Sequence, residues 1–177
     1  MPTAPSGTAA MPIAICGLAL RLPGGLSTPS QFWDFLVSKG DARARVPEGR
    51  YNVDAFYDKT GTKPGHVRTP YGYYLDEKTV DLGAIDASFY SMTRAELERV
   101  DPQQRLLLEV ARECLESAGE TDYKGKDVGC WVGTFGEDWL ERLCRDELIG
   151  GAYTICGYGN FVLANRISYE YDLNGPR

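Results

Sequence analysis

The amino-acid sequence predicts an α/β fold in a single domain. Two short apolar runs, residues 13–17 and 128–132, have the length and composition of buried strands. Residues 101–118 carry the strongest helix signal of the chain. Of the 177 residues, 43% are hydrophobic and 25% are charged, which is typical of a chain that folds around a core.

The N-terminal third combines one short helix with a long irregular segment. Residues 1–10 are small and polar and predict a flexible tail ahead of a domain over residues 11–177. A helix is predicted over residues 31–38, with Thr28 or Ser30 as its N-cap. Residues 40–74 lack a sustained period and predict an irregular excursion, with a short hairpin near residues 66–75.

The strongest helix has start and stop signals in sequence. Asp101 is a suitable N-cap, Pro102 fits the first helical position, and Gln104 stands where a capping box places Glu or Gln. Gly119 is the residue expected to end the helix.

The C-terminal third is predicted to be mainly helical. Helices are expected over residues 137–147 and 161–171, separated by a Gly-rich turn over residues 153–160. Two strands are few for a parallel sheet, which is normally covered on both faces. The sequence therefore predicts an incomplete sheet.

Charge and cysteine usage exclude several classes of protein. The net charge of −6 argues against binding to nucleic acid or to an anionic membrane surface. The apolar run nearest the N-terminus is too short to cross a bilayer. Five cysteines without a CxxC pair suggest neither disulfides nor a metal site, and reduced thiols favour the cytoplasm. No cofactor is indicated. The cysteines are Cys16, Cys114, Cys130, Cys144 and Cys156.

Six segments taken in order resemble the N-terminal part of a β-ketoacyl synthase (ketosynthase) domain. The likeness is greatest to the ketosynthase that opens fungal highly reducing polyketide synthases, and it runs from about residue 12 to the end of the chain. The segments are residues 12–25 (PIAICGLALRLPGG), 32–36 (FWDFL), 46–57 (VPEGRYNVDAFY), 81–90 (DLGAIDASFY), 101–110 (DPQQRLLLEV) and 161–176 (FVLANRISYEYDLNGP).

The resemblance implies a thiolase-like fold, of which this chain would supply an incomplete N-terminal half. It also implies a nucleophilic cysteine soon after a Gly-Pro-Ser segment, and two histidines further downstream. The chain reads Gly175-Pro176-Arg177 at that point and contains one histidine. The sequence therefore predicts a truncated ketosynthase that takes part in polyketide biosynthesis but does not condense acyl chains by itself.

The resemblance also implies which residues approach an acyl chain. In ketosynthases, the turn after the second apolar run and the segment equivalent to residues 153–160 approach the acyl pocket, the latter across a dimer interface. The candidates to line such a pocket are Phe135, Glu137, Cys156 and Tyr158, and the alternative is that they only shape their loops. Four arginines of the recognised segments are expected to pin loops through buried polar contacts, and contact with an acyl carrier protein is the alternative: Arg21, Arg50, Arg105 and Arg166.

Two further functions stay open at the level of sequence. The first is an isomerase that moves a double bond of a carrier-bound unsaturated polyketide by shuttling a proton. His66 is the first candidate base, because imidazole exchanges protons near neutral pH. Glu137 is the second, because burial beside aromatic rings would favour its protonated form.

The second open function is that of a non-catalytic partner that docks on a complete polyketide synthase. Under every interpretation, the expected partners are an acyl carrier protein or a synthase-bound acyl chain. A homo-oligomer is also expected, because two strands leave sheet edges uncovered.

Overall fold

A computed structural model describes residues 11–136, 138–145 and 153–177. The predicted tail at residues 1–10 lies outside the described residues. The described elements are, in order, α1 (Pro29–Val37), β1 (Ala44–Arg45), a 3-10 helix (Val53–Phe56), β2 (Tyr71–Gly72), α2 (Arg94–Leu97), α3 (Pro102–Ser117), α4 (Asp138–Cys144), α5 (Thr154–Tyr158) and α6 (Val162–Glu170).

The central helix is α3, and it begins and ends almost where the sequence predicts. The Asp101 carboxylate accepts a hydrogen bond from the backbone N–H of Gln103, and Pro102 opens the helix. Gly119 adopts a φ of 71° immediately after the C-cap, a conformation that glycine reaches without strain. The predicted capping-box role of Gln104 is wrong, because its side-chain amide donates to the backbone of residues 156 and 157 instead.

The core lies between α3, α6 and the segments that cross them. Leu108 on α3 is fully buried, and Ile167 on α6 packs in the same cluster. The remaining buried members of this cluster are Tyr90, Met92, Val100, Tyr123, Tyr171 and Leu173. The hydrophobic face of α6 therefore packs against α3. The bounds of α6 differ by one residue at each end from those of the helix predicted over residues 161–171.

Helix α1 carries a complete capping box. The Thr28 hydroxyl accepts from the backbone N–H of Gln31, and the Gln31 side chain accepts from the backbone N–H of Thr28. Thr28, and not Ser30, is therefore the N-cap.

The prediction of a strand over residues 13–17 is wrong. Residues 11–20 form neither helix nor strand, and the side chains of Ile13 and Ile15 are 95% and 89% exposed. Gly17 passes so close to the last turn of α3 that a Cβ there would collide with the carbonyl oxygen of Cys114. A strand needs a neighbour for its backbone hydrogen bonds, and the described residues place none beside this run.

The second predicted strand, over residues 128–132, is extended but only irregularly paired. It runs in the same direction as residues 174–176. The backbone N–H of Gly175 donates to the carbonyl of Val128 (3.1 Å), and that of Cys130 donates to the carbonyl of Pro176 (2.8 Å). The spacing of these bonds does not form a regular ladder, so residues 128–132 are not assigned as a strand.

The excursion contains the described sheet, which is not the predicted hairpin. Strand β2 pairs antiparallel with β1, about 27 residues earlier in the chain, with Ala44 opposite Gly72 and Arg45 opposite Tyr71. The turn predicted near residues 66–75 therefore does not join two paired strands.

The helix predicted over residues 137–147 corresponds to α4 in its described part. The indole N–H of Trp139 donates to the carbonyl of Arg99 (2.9 Å), which ties α4 to the chain just before α3. The Gly-rich turn predicted over residues 153–160 contains the one-turn helix α5. No helix within the described residues is both long and apolar enough to cross a membrane.

Candidate functional site

The candidate site is centred on α5, which carries Cys156 and Tyr158. Gly157 between them is buried, and its carbonyl accepts from the backbone N–H of Asp101 (2.8 Å) and from the side-chain amide of Gln104 (3.0 Å). The carbonyl of Cys156 accepts from the same amide at 3.0 Å. The backbone of α5 is thus fixed to the beginning of α3, while the Cys156 side chain is exposed.

A cavity of about 670 Å³ opens beside Cys156, between α5, α6 and the end of the described chain. Its walls combine polar and apolar side chains. They are Ser91, Glu96, Cys156, Val162, Asn165, Arg166, Ser168, Tyr169, Asp172, Leu173, Asn174 and Arg177.

The charges at the wall of this cavity are partly matched. The Arg166 guanidinium lies 3.5 Å from the Glu96 carboxylate, and both side chains are largely buried. Glu96 also accepts hydrogen bonds from Thr93 and so completes the capping box of α2. This pair therefore joins α2 to α6, and it confirms the prediction that Arg166 pins separate segments together.

Phe135 lies in the loop that follows residue 132 and precedes α4, and its side chain is 99% exposed. The neighbouring Thr134 hydroxyl donates to the side-chain oxygen of Gln103 at 3.1 Å, which attaches this loop to the first turn of α3. The structure therefore ties the Phe135 loop and α5 to the same turn, although Phe135 itself contacts neither Cys156 nor Tyr158 through any described interaction. Glu137 lies outside the described residues.

His66 lies in the excursion and is half-buried. Its Nδ1 atom is 3.0 Å from the carbonyl oxygen of Pro64, and its ring is tilted against that of Phe56 at a centroid distance of 6.5 Å. The turn that precedes it is held by Asp58, which accepts from the backbone N–H groups of Thr60 and Lys63. His66 does not line the cavity beside Cys156, and its acid–base role stays a prediction.

The five cysteines are all free thiols. Burial raises the pKa of the Cys130 thiol, which disfavours the nucleophilic thiolate there. Within the part of the chain that the structure describes, no group of three or more His, Cys, Asp or Glu residues is arranged to hold a metal ion.

Two residues at the site have roles that sequence reasoning missed. The sequence predicts only a local capping role for Gln104 and no role for Glu96. Gln104 reaches 52 residues along the chain, so no short-range pattern could identify its partner. The signal for Glu96 was present, because Thr93 followed three residues later by Glu96 is a capping-box sequence.

The comparisons with known proteins agree over nearly the whole chain. The family model of the β-ketoacyl synthase N-terminal domain matches residues 10–177. The chain is 60% identical over 168 residues to the highly reducing polyketide synthase sphB of Aspergillus fumigatus. The matched residues make up 95% of this chain and 7% of that protein. It is 51% identical over 166 residues to the squalestatin hexaketide synthase of a Phoma species, covering 94% of this chain and 6% of the relative.

Solved structures show the same relationship. The ketosynthase of module 6 of the bacillaene synthase from Bacillus subtilis 168 superimposes with a TM-score of 0.71 at 27% identity, over 92% of this chain and 25% of that one. The fold is therefore part of the thiolase-like ketosynthase fold, as the resemblance implied. With the family model matched from residue 10 to residue 177, the chain belongs to the β-ketoacyl synthase family and corresponds to its N-terminal domain.

Proposed function

We propose that this chain serves as the N-terminal region of a ketosynthase in polyketide biosynthesis, within or beside a longer synthase. The observation that carries the proposal is the 60% identity to a highly reducing polyketide synthase over 95% of this chain. The chain spans 6–7% of the length of such relatives.

The chain alone is proposed not to condense acyl groups. Condensation in the family uses a nucleophilic cysteine and two histidines, and this sequence contains a single histidine. That histidine, His66, contacts Pro64 and Phe56, and no described contact joins it to a cysteine. A thiolate without a base and without donors for the developing enolate lacks the groups that lower the barrier.

An acyl chain on a carrier protein is the proposed partner of the α5 region. Cys156 is exposed at the edge of a cavity of about 670 Å³, large enough for a medium-sized apolar chain. Val162 and Leu173 supply apolar wall, and the Arg166–Glu96 pair supplies polar wall. Phe135 and Tyr158 are proposed to complete the lining once the remaining part of a ketosynthase is present.

The five free thiols support a cytosolic location.

A graft tests the proposed function directly. The 168 residues of sphB that match this chain would be replaced by the corresponding residues of this chain, and the polyketide product measured by mass spectrometry. Native sphB is the control. We expect the grafted synthase to make the same product. A stably expressed graft that binds its acyl substrate but makes no product would contradict the proposal.

A second experiment tests the proposed lack of condensation. The purified chain would be incubated with an acyl thioester and a malonyl-loaded carrier protein, with a complete ketosynthase as the positive control. No β-keto product is expected from these 177 residues, because they contain one histidine and condensation in the family uses two. An elongated product from the chain alone would refute this part of the proposal.

A further inference from the structure

Consecutive side chains in the first turn of α3 hold three separate segments of the protein. Gln103 accepts from Thr134 of the Phe135 loop at 3.1 Å. Gln104 donates to α5, and Arg105 donates to the carbonyls of Gly83 (2.7 Å) and Val100 (2.8 Å). A single helical turn therefore organises both loops that carry the candidate acyl-binding residues.

Gln104 is the most deeply placed of these side chains, with 2% of its surface exposed. Its amide nitrogen carries two hydrogens, and the two carbonyls of Cys156 and Gly157 each lie 3.0 Å from that nitrogen. Both N–H groups of the Gln104 amide therefore donate hydrogen bonds to the carbonyls of two adjacent peptide units. A carboxylate could not donate to them, and an apolar side chain of the same length would leave them without this partner.

Helix α5 depends on these contacts because it cannot be stable alone. It has five residues and no side-chain cap, and isolated helices of that length do not persist in water. Its opposite side is open, since Ile155 and Cys156 are exposed. Gly157 has no room for a side chain, because a Cβ would lie 2.5 Å from the carbonyl oxygen of Arg99. The side of α5 that faces the protein is therefore held by the Gln104 amide and by the close approach of Gly157 to the Arg99 backbone, and α6 packs beside it.

We propose that Gln104 is a positioning residue that fixes Cys156 and Tyr158 relative to the adjacent cavity and thereby controls acyl-chain binding. The effect on acyl binding rests on the proposed function. The effect on α5 does not, because it follows from the contacts within this chain. Gln104 touches no substrate and acts only through the backbone of α5.

The first test measures amide hydrogen exchange in the purified chain. In Gln104→Met, the amides of Gly157 and Gly159, which donate within α5, are expected to exchange about tenfold faster. The amide of Tyr171, the C-cap of α6, is expected to keep its rate. Gln103→Met is the matched control, because it alters the next side chain of the same turn but leaves the bonds to α5 in place. Equal protection of α5 in Gln104→Met and the unchanged chain would overturn the proposal.

The Gln104→Glu variant adds a pH signature that simple loss of packing would not produce. The ionised carboxyl repels both carbonyls, whereas the neutral acid donates one hydrogen bond to them. Protection of α5, compared with the unchanged chain at each pH, is expected to recover partly as the pH falls. Gln104→Met is expected to show no recovery. Identical pH behaviour of the two variants would count against the donor role of Gln104.

Gly157→Ala keeps the test decisive if Gln104→Met unfolds the whole chain. It displaces α5 from Arg99 while the Gln104 side chain stays unchanged, and it should also accelerate exchange at Gly159. Gly133→Ala is its control, since a Cβ there meets no atom within 4 Å. Normal protection of α5 in Gly157→Ala would contradict the claim that this contact sets its position.

The second test uses the sphB graft. Gln104→Met is expected to raise KM for the acyl substrate about tenfold with a much smaller change in kcat, because binding residues move and the reacting groups do not. Lys124→Met on the exposed surface is the control. An unchanged KM with a disturbed α5 would overturn the link to acyl binding. A stably expressed parent graft that binds its acyl substrate but makes no product would refute the proposed function, and the exchange experiment would still decide the positioning of α5.

Discussion

At the scale of single residues, the buried hydroxyl of Tyr171 connects the two main helices. It donates to the carbonyl of Leu108 at 2.7 Å, and the Tyr90 hydroxyl lies 3.4 Å from it. Burial raises the pKa of Tyr171, so the phenol stays protonated and remains a donor. The ring of Tyr123 meets that of Tyr171 edge to face at 6.0 Å. These tyrosines place hydrogen bonds inside an otherwise apolar core.

Replacing Tyr171 by Phe is expected to lower the free energy of unfolding by about 1 kcal/mol, because a buried hydrogen bond is lost while the ring remains. Urea unfolding followed by fluorescence would measure the change. Tyr169→Phe is the control, two residues away and 72% exposed, and it should change little. Equal effects of the two variants would contradict the assigned bond.

Asp101 gives the protein a pH-dependent element of stability. Burial raises the pKa of its carboxyl, with a further contribution from the charge of Asp138. The folded chain therefore holds the Asp101 proton more tightly than the unfolded chain. Its contribution to stability is complete at low pH and is lost as the pH rises through the raised pKa, above the ordinary value of about 4.

Asp101→Asn removes this titration but retains an oxygen that can accept from the backbone N–H of Gln103. The variant is expected to gain stability relative to the unchanged chain as the pH is raised from about 4 to 7. Urea midpoints measured across this range would show the difference. Asp122→Asn, at an exposed carboxylate, is the control. A constant difference between the Asp101 variant and the unchanged chain at every pH would contradict the assignment.

At the scale of elements, helices with local end signals form where the sequence places them. Helix α3 has its cap, its proline and its terminal glycine within the predicted bounds, and α1 has its capping box. These interactions join residues no more than four positions apart, so they are legible in the sequence. The apolar face of α6 is legible for the same reason.

Thr28→Ala tests the end signal of α1. Loss of the cap is expected to cost about 1 kcal/mol and to speed exchange of the Ser38 amide about fivefold, because α1 is largely exposed and opens locally. Ser30→Ala, in the first turn of the same helix, is the control and should leave the rate unchanged. A larger effect from Ser30→Ala would move the cap to that residue.

At the scale of the whole molecule, the two apolar runs of the sequence expose several of their large apolar side chains to solvent. Ile13 and Ile15 are exposed on one run, as is Met11 just before it, and Trp131 is exposed on the other. Exposed apolar surface of this kind marks contact sites between proteins. It is consistent with the expectation from the sequence that the chain associates with itself or docks on a synthase.

Light scattering at micromolar concentration tests this association. The purified chain is expected to give a mass above the 19.6 kDa of one copy. Ile15→Glu is expected to lower the average mass, because it places a charge in the exposed run. Val37→Glu makes the same change at an exposed position of α1 and is the control. A sharp 19.6 kDa species of the unchanged chain would argue against self-association.

The sequence by itself determined helices α1, α3 and α6 and the family. Asp101, Pro102 and Gly119 specify α3 through neighbours along the chain, and six motifs in a fixed order specify a ketosynthase. Tertiary structure decided the state of the apolar runs and the task of Gln104. Residues 13–17 have the composition of a strand, but the part of the chain that the structure describes places no partner strand beside them. Gln104 has the position of a cap residue, yet its buried amide nitrogen donates to the carbonyls of Cys156 and Gly157, and the chain must fold before these groups meet.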